Sequence, residues 1–434
     1  MSDSEYLPSD DSPCDETTND DLSTDEEVEP SILETLTESD IADLISNIML
    51  LTDELVSTNI LALSSPKFGD TIIDDVTEII MDEWQDADLF DDSDGDEITK
   101  ELHHLIEEIV DVYFTSIGPR RSIKFSSTRP PSKKNTVIDQ ALIRQIEALQ
   151  NLPQPKQKTR GWYEFRYSLI SASNLWKVFG TDAQRNSLIA EKCVPFESFQ
   201  NRSQFMSTES PMHWGNKYEP VTVTIYEIMF GTQVAEFGCI RHPEHQFIGA
   251  SPDGINIDPA NPALYGRMLE IKNIVNREIT GIPKEDYWIQ TQIQMETCDL
   301  DECDFMETRF KEYTNDEQFY EDEETEYKGI ILHFIERELT RESMPIYRYM
   351  PPNLINSSSK RDIDAWIISE REVAKRDGLV LFNKVFWYLE EYSCVLIERN
   401  REWFKSAVPK IEEIWKKIIV ERRESRNIVT VIKL

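Results

Sequence analysis

The alternation "MLEIKN" at residues 268–273 sets apolar and charged residues on opposite sides of an extended segment. Strand side chains alternate faces, so Leu269 and Ile271 project one way and Glu270 and Lys272 the other. One face reads as core. The other brings a carboxylate and an ammonium within reach of each other, as a paired surface feature or as the edge of a site. Upstream, "HQFIGASPDGINI" is an apolar run that breaks at a Ser-Pro-Asp-Gly turn and resumes, which predicts a hairpin with Asp253 at its bend. "CDFMETRFKEY" and "YKGIILHFIE" read as further strands, with the acidic run at 315–327 as a solvated loop between them.

Helical spacing marks other stretches. "ILETLTESDIADLISNIMLLTDELV" and "ITKELHHLIEEIVDVYFTSI" are amphipathic and predict two helices that dock on the body or on a partner. "HWGNKYEPVTVTIYEIMFG" predicts a helix carrying Glu219 with Pro220 in its first turn, although the V-T-V-T-I run favours a strand locally. In "YWIQTQIQMETC" a helix places Tyr287, Gln290 and Gln294 on one polar stripe, which by itself reads as a solvated face. "LVLFNKVFWYLEEYSCVLIE" and "VPKIEEIWKKIIVERR" predict two C-terminal helices with core tryptophans, and "RNIVTVIKL" a short strand.

Charge divides the chain of 434 residues. Residues 1–119 hold 35 Asp and Glu against Lys67 and Lys100, so nearly all of the net −37 lies there. The first 30 residues have almost nothing to bury and are expected to be disordered. The basic, proline-containing "GPRRSIKFSSTRPPSKK" follows and marks a boundary. The organisation expected is an acidic region over 1–119, partly disordered; a basic linker and opening helix over 120–150; and a main domain over 151–434. No apolar run is long enough to span a bilayer, and the acidic start is the opposite of a signal peptide, which points to an intracellular, non-secreted protein. The six cysteines lack paired zinc spacing and read as free thiols.

Glu270 lies 17 residues beyond Asp253, far enough for the chain to return and set the two carboxylates together. Two carboxylates and a lysine on adjacent strands suit Mg²⁺-dependent phosphodiester hydrolysis: oxygens hold a hard cation and the lysine positions water or steadies developing charge. A structural salt bridge is the alternative.

The ordered series "WGNKYEP", "GASPDG", "LEIKN" and "YWIQTQIQM", preceded by "PQPKQKTRGWYEFRYSLISASN", resembles the YqaJ-type viral recombinase family. These are lambda-type exonucleases among the restriction-endonuclease-like nucleases with a PD-(D/E)XK core, and the wording looks most like versions from large DNA viruses of eukaryotes. The resemblance covers about 150–310 and leaves the acidic region aside. It implies an α/β fold with a mixed central sheet flanked by helices. It also implies an exonuclease acting 5′ to 3′ on duplex DNA with a free end, with Mg²⁺ as cofactor and Mn²⁺ as a substitute. A single-strand annealing protein as partner, a possible homo-oligomer, and a host cytoplasm or nucleus as compartment follow from the same resemblance. Residue by residue, Asp253 and Glu270 match the metal-binding carboxylates, the Ile271 carbonyl completes the ligand set, and Lys272 matches the catalytic lysine. Glu219 matches the assisting helix glutamate and Gln290 the motif glutamine. Arg166 and Ser173 match the residues that bind a terminal 5′ phosphate, with Ser171 where threonine is common, and Trp162 matches an aromatic on which a base stacks. A structure-specific endonuclease or resolvase of the same fold is the nearest alternative. An acidic scaffold or DNA mimic is another, whereas an iron–sulfur helicase nuclease lacks its clustered cysteines here.

Overall fold

The acidic part of the chain supplies three long helices before any strand of the main sheet forms. The structure, a computed structural model, describes residues 32–87, 89, 95–124, 137–155, 159–198, 211–338, 344–355 and 359–432. The expected disorder of the first 30 residues and most of the basic linker lie outside them. Helix α1 (Glu38–Thr58) starts at Thr37, whose side chain forms a capping box with Asp40. Helices α2 (Phe68–Asp86) and α3 (Gly95–Ser116) follow. Two helices are expected from the sequence, and the structure adds α2. Its buried Phe68, Ile72, Val76 and Ile80 recur every four residues, a stripe that the surrounding acids disguise. These residues join Ile48, Leu102 and Ile106 in the same cluster as Trp288, Trp403 and Ile411 of the body.

After the short strand β1 (Ile123–Lys124) come α4 (Gln140–Asn151), α5 (Arg160–Tyr167), β2 (Ile170–Ser171), α6 (Ala172–Leu175), α7 (Asp182–Cys193) and α8 (Pro211–Phe230). Short strands β3 (Val234–Ala235), β4 (Ile240–Arg241), β5 (Ile248–Ala250) and β6 (Gly254–Asn256) lead to β7 (Met268–Asn273) and α9 (Glu285–Cys298). Then follow β8 (Glu302–Glu312), the small helix α10 (Asp316–Glu321), β9 (Lys328–Glu336), β10 (Ile346–Tyr349), α11 (Lys360–Arg376), β11 (Leu379–Glu398) and α12 (Arg401–Ile432).

The main sheet runs β10-β9-β11-β8-β7-β6-β3, with β1 pairing on β11, and β2-β5-β4 form a second sheet. Strands β7 and β8 are parallel and β6 and β7 antiparallel, so the fold is α/β with a mixed central sheet flanked by helices, as expected. One core holds Met268 and Phe305 against α9, the acidic-region helices and α12. The other holds Leu269, Ile271 and Met306 against α8 and α11. The alternation read from "MLEIKN" therefore divides two cores, and Glu270 and Lys272 share the α9 side.

Four expectations are corrected. Residues 379–398 form a long strand, not a helix: Val385, Phe386 and Trp387 are all buried because β11 lies inside the sheet between β8 and β9, covered on both faces. Apolar residues on both faces of a strand mimic the density of a helical stripe. The last segment continues α12 to Ile432 instead of forming a strand. Pro220 sits inside α8, not in its first turn; the helix persists because Tyr218, Val221 and Ile225 on either side are packed into the core. The Ser-Pro-Asp-Gly turn is not a hairpin, since β5 and β6 belong to different sheets and Asp253 marks the crossing. The acidic 315–327 run does connect β8 and β9, but α10 within it buries Phe319.

Register between β7 and β8 is fixed by a buried charge. The Arg267 guanidinium, at the mouth of β7, donates to Glu302 at 3.0 Å and to Asp304 at 3.3 Å on β8, and Tyr226 donates to Asp304 at 2.6 Å. Burial pushes the Asp304 carboxyl up to about 6, against the opposing pull of Arg267 and Tyr226. Arg267→Met strands Asp304 in a dry interior and is expected to cost about 3–5 kcal/mol at neutral pH. The loss should shrink as pH falls, because protonation removes the uncompensated charge. Urea denaturation at pH 8 and pH 5 measures both effects, and equal losses at the two values contradict the account.

Candidate functional site

Glu270 is almost fully buried, at 1% exposure, so its charge must find donors within the protein. It does so on the strand and the helix. Lys272 donates to Oε1, Gln290 donates to Oε1 at 2.7 Å, and Gln294 donates to Oε2 at 2.7 Å. Gln294 also donates to the Ser251 carbonyl at 3.2 Å, tying α9 to the chain just before Asp253. The polar stripe of α9 is thus no solvated face. It lines the inner side of the helix, where Gln294 is completely buried and Tyr287 places its ring 4.9 Å from the Lys272 ammonium. Burial works against the charge on Lys272, but Glu270 and Asp253 outweigh it and hold the amine above its ordinary value.

Asp253 meets the same strand from the other side. Its Oδ2 accepts from the Ile271 N–H at 2.7 Å, which sets the carboxylate beside β7. Burial, then Glu270, then Glu219 on α8 raise its carboxyl well above the usual range, with Lys272 and the Ile271 N–H opposing. Asp253 thus feels both glutamates, a crowding of carboxylates that a hard divalent cation would relieve. Among the described residues no three His, Cys, Asp or Glu side chains close on one point as a ready cage. Asp253 and Glu270, with Glu219 nearby, are donors of the kind that suits an ion of the Mg²⁺ type, which takes few carboxylates and keeps water.

A second cluster stands on the adjoining sheet. Arg166 at the end of α5 donates to Ser171 Oγ at 3.2 Å, and Ser171 Oγ lies 3.1 Å from Ser173 Oγ. The guanidinium carbon sits 4.8 Å from the Trp162 ring centre, so the planar fork is stacked as well as bonded. Ser171 pairs with Gly249 in the parallel β2–β5 ladder, four residues before Asp253. Gly249 has no room for a side chain: a Cβ there would lie 2.6 Å from Leu169 and 3.0 Å from the Ile240 carbonyl. This close packing holds β2, which carries Ser171, against β5, whose chain runs on to Asp253. Ser173 is exposed and Trp162 half-buried, which leaves the cluster open to solvent.

All the residues singled out from the sequence fall into these two groups. Gln294 and Lys192 were missed as site residues. Gln294 is announced by its place one turn beyond Gln290. Lys192 carries no local signal: it is a buried lysine on α7 that donates to the Arg166 carbonyl at 3.0 Å, and burial pushes its amine down to about 7. The five described cysteines are free, as expected, and no helix among the described residues is long and apolar enough to cross a membrane.

A mixed sheet thus carries a partly buried Asp-Glu-Lys group, with a stacked arginine on the adjoining sheet. Residues 161–301 match the YqaJ-like viral recombinase domain. That matched segment holds both clusters. An uncharacterized protein of Acanthamoeba polyphaga mimivirus is 27% identical over 323 residues, which is 66% of this chain and only 57% of the length of that relative. Among solved structures, the alkaline exonuclease LHK-Exo from Laribacter hongkongensis is similar with a TM-score of 0.37 and 19% identity, over 63% of this chain and 100% of that one. A phage related exonuclease from Haemophilus somnus 129PT is similar with a TM-score of 0.30 and 14% identity, over 61% and 96%.

Gln294→Leu keeps the shape of the α9 face but removes the amide that donates to Glu270 Oε2. A buried acceptor left unpaired costs about 1–3 kcal/mol, and urea denaturation should show a loss of that size. The same change at the half-buried Gln290 should cost less, because water can replace its amide. A larger loss at Gln290 than at Gln294 contradicts the assignment.

Proposed function

We propose that the chain is a metal-dependent deoxyribonuclease that degrades duplex DNA from a free end, 5′ to 3′, in recombination or genome processing. The observation that carries the reading is the convergence of Asp253, Glu270 and Lys272 on one buried edge, one strand away from the Arg166–Ser171–Ser173 cluster. The first group suits cleavage of a phosphodiester. The second suits capture of a terminal phosphate, because a stacked guanidinium with hydroxyl donors matches an anion of extra charge. The match of residues 161–301 to the YqaJ-like viral recombinase domain supports the same reading.

In this reading Asp253, Glu270 and the Ile271 carbonyl hold Mg²⁺, with Mn²⁺ as a substitute, and Glu219 adds negative charge from α8. The ion, when bound, polarises the scissile phosphate and acidifies an attacking water. Lys272 stays an ammonium, held so by Glu270 and Asp253, and acts as a donor to the water or to the developing charge rather than as a base. Gln290 and Gln294 keep Glu270 oriented while its charge is shared. Trp162 offers a face on which the end base stacks without regard to sequence. A single-strand annealing protein as partner and assembly into a homo-oligomer belong to the same proposal.

Asp253→Asn and Glu270→Gln each remove a ligand charge with little change of shape, and each is expected to abolish cleavage while DNA binding persists. Digestion of linear duplexes labelled at the 5′ or 3′ end, beside closed circles, with and without Mg²⁺, is the assay. Wild type should release label from the 5′ end alone and leave circles intact; near-normal cutting by either variant removes the site from consideration.

A phosphorylated 5′ end should be degraded about tenfold to hundredfold faster than a hydroxyl end, since a charge-assisted contact is worth roughly 1.5–3 kcal/mol. Arg166→Ala should erase that preference by slowing the phosphorylated substrate only, and Arg166→Lys should restore part of it. Equal initial rates on the two ends in wild type refute the phosphate role.

A further inference from the structure

Helix α9 carries both glutamines that hold Glu270, yet its own start is poorly defined. Lys284 at its N-cap makes no side-chain capping hydrogen bond. What holds the start is the acidic N-terminal region, through one arginine. Arg121 follows α3 and donates from Nε and Nη2 to the Ser64 carbonyl, at 3.2 and 3.0 Å, in the 3₁₀ turn between α1 and α2. Its Nη2 also donates to the Pro283 carbonyl just before α9, and its own carbonyl accepts from the indole N–H of Trp288 at 2.7 Å. Ser64 adds a hydrogen bond to Glu285 at 3.0 Å. Trp288 is fully buried and meets Trp403 edge-on, while Trp403 donates to the Leu61 carbonyl at 3.2 Å.

The first turns of α9 therefore have two working faces. Glu285 and Trp288 are pinned to the N-terminal region; Tyr287, Gln290 and Gln294 face Lys272 and Glu270. Trp288 and Gln290 are separated by about 3 Å along the helix axis, and a helix is stiff over that span, so a shift at the pinned face reaches the glutamines undiminished. Among the described residues Arg121 Nη1 is buried without a partner, a cost that a merely space-filling residue would not carry.

We infer that Arg121 is a positioning residue for the nuclease site, through which the acidic N-terminal helices fix α9 and hence the amides that orient Glu270. The inference rests on the proposed function. It makes the acidic region a part of the active centre's scaffold, and anything that binds and displaces α1–α3 acts on the site through this link.

The test uses the full chain with Arg121→Met, Arg121→Lys, Trp288→Phe and, as a control, Asp253→Asn. Arg121→Met is expected to lower kcat about tenfold to hundredfold, the scale set by a displacement of about 1 Å at a catalytic group, with the dissociation constant for DNA within about twofold of wild type. Mn²⁺ affinity, read by electron paramagnetic resonance in the absence of DNA, should weaken. Hydrogen exchange should quicken over 287–294 while the β8 amides stay protected. Arg121→Lys should recover part of the rate, since one ammonium can reach one of the two carbonyls, and Trp288→Phe should give a smaller change of the same kind. A lower unfolding midpoint with wild-type kcat, Mn²⁺ affinity and α9 exchange below the transition overturns the inference and leaves Arg121 a structural residue. If Arg121→Met does not fold, Arg121→Lys and Trp288→Phe decide on the same readouts. An Asp253→Asn variant that still cleaves overturns the nuclease reading itself, whereas a dead Asp253→Asn beside fully active Arg121 variants overturns only the positioning role.

Discussion

A carboxylate buried on the central sheet must be surrounded by donors, and much of this architecture can be read as the means of supplying them to Glu270. Lys272 comes from the same strand face. Gln290 and Gln294 come from a helix that has to lie in one rotation and at one height across the sheet to reach both oxygens. An unpaired charge in that position costs several kcal/mol, so the placement of α9 is under tight control. The parallel pairing of β7 with β8, locked by Arg267 against Asp304 and Glu302, fixes the strand; the three acidic helices and α12 fix the helix.

The same demand separates the two carboxyls. Lys272, Gln290 and Gln294 satisfy Glu270, whereas burial and the two glutamates hold the Asp253 carboxyl well above its usual range. The arginine cluster is different in kind: it is open to solvent, and its geometry is maintained from behind by Lys192 on the Arg166 carbonyl and by Arg422 on the Tyr167 carbonyl at 2.8 Å. One site is rigid because it is buried, the other because its backbone is tethered.

The acidic region takes on a new meaning in three dimensions. By charge alone it looks like a tail that opposes a polyanion. Its helices present acids to solvent but bury Ile48, Ile72, Val76, Leu102 and Ile106 in the core that they share with α9 and α12. The surface charge and the structural role belong to different faces of the same helices, so net charge says nothing of how firmly they are attached.

The sequence by itself determined the local chemistry. The period of two in "MLEIKN" gave the shared face of Glu270 and Lys272, and the helical spacing gave the common stripe of Gln290 and Gln294; the resemblance of the ordered motifs over about 150–310 singled out Arg166, Ser171, Ser173, Asp253 and Glu219 before any contact was visible. The shared face and the stripe are short-range properties, set by backbone geometry over a few residues. What the tertiary structure alone decided was which faces are buried and what lies across from them. The α9 stripe is polar whether it meets water or Glu270, and only the sheet beside it selects the second. Residues 379–398 are apolar enough for a helix, and only pairing with β8 and β9 makes them a strand, with 385–387 and 394–397 buried as continuous runs. Asp253 sits at a turn in either account, but that the turn joins two sheets depends on partners at Gly249 and Leu269. Lys192 and Arg121 act through carbonyls distant in sequence, and a backbone carbonyl leaves no mark on the residue that carries it, so neither role is legible from the chain alone.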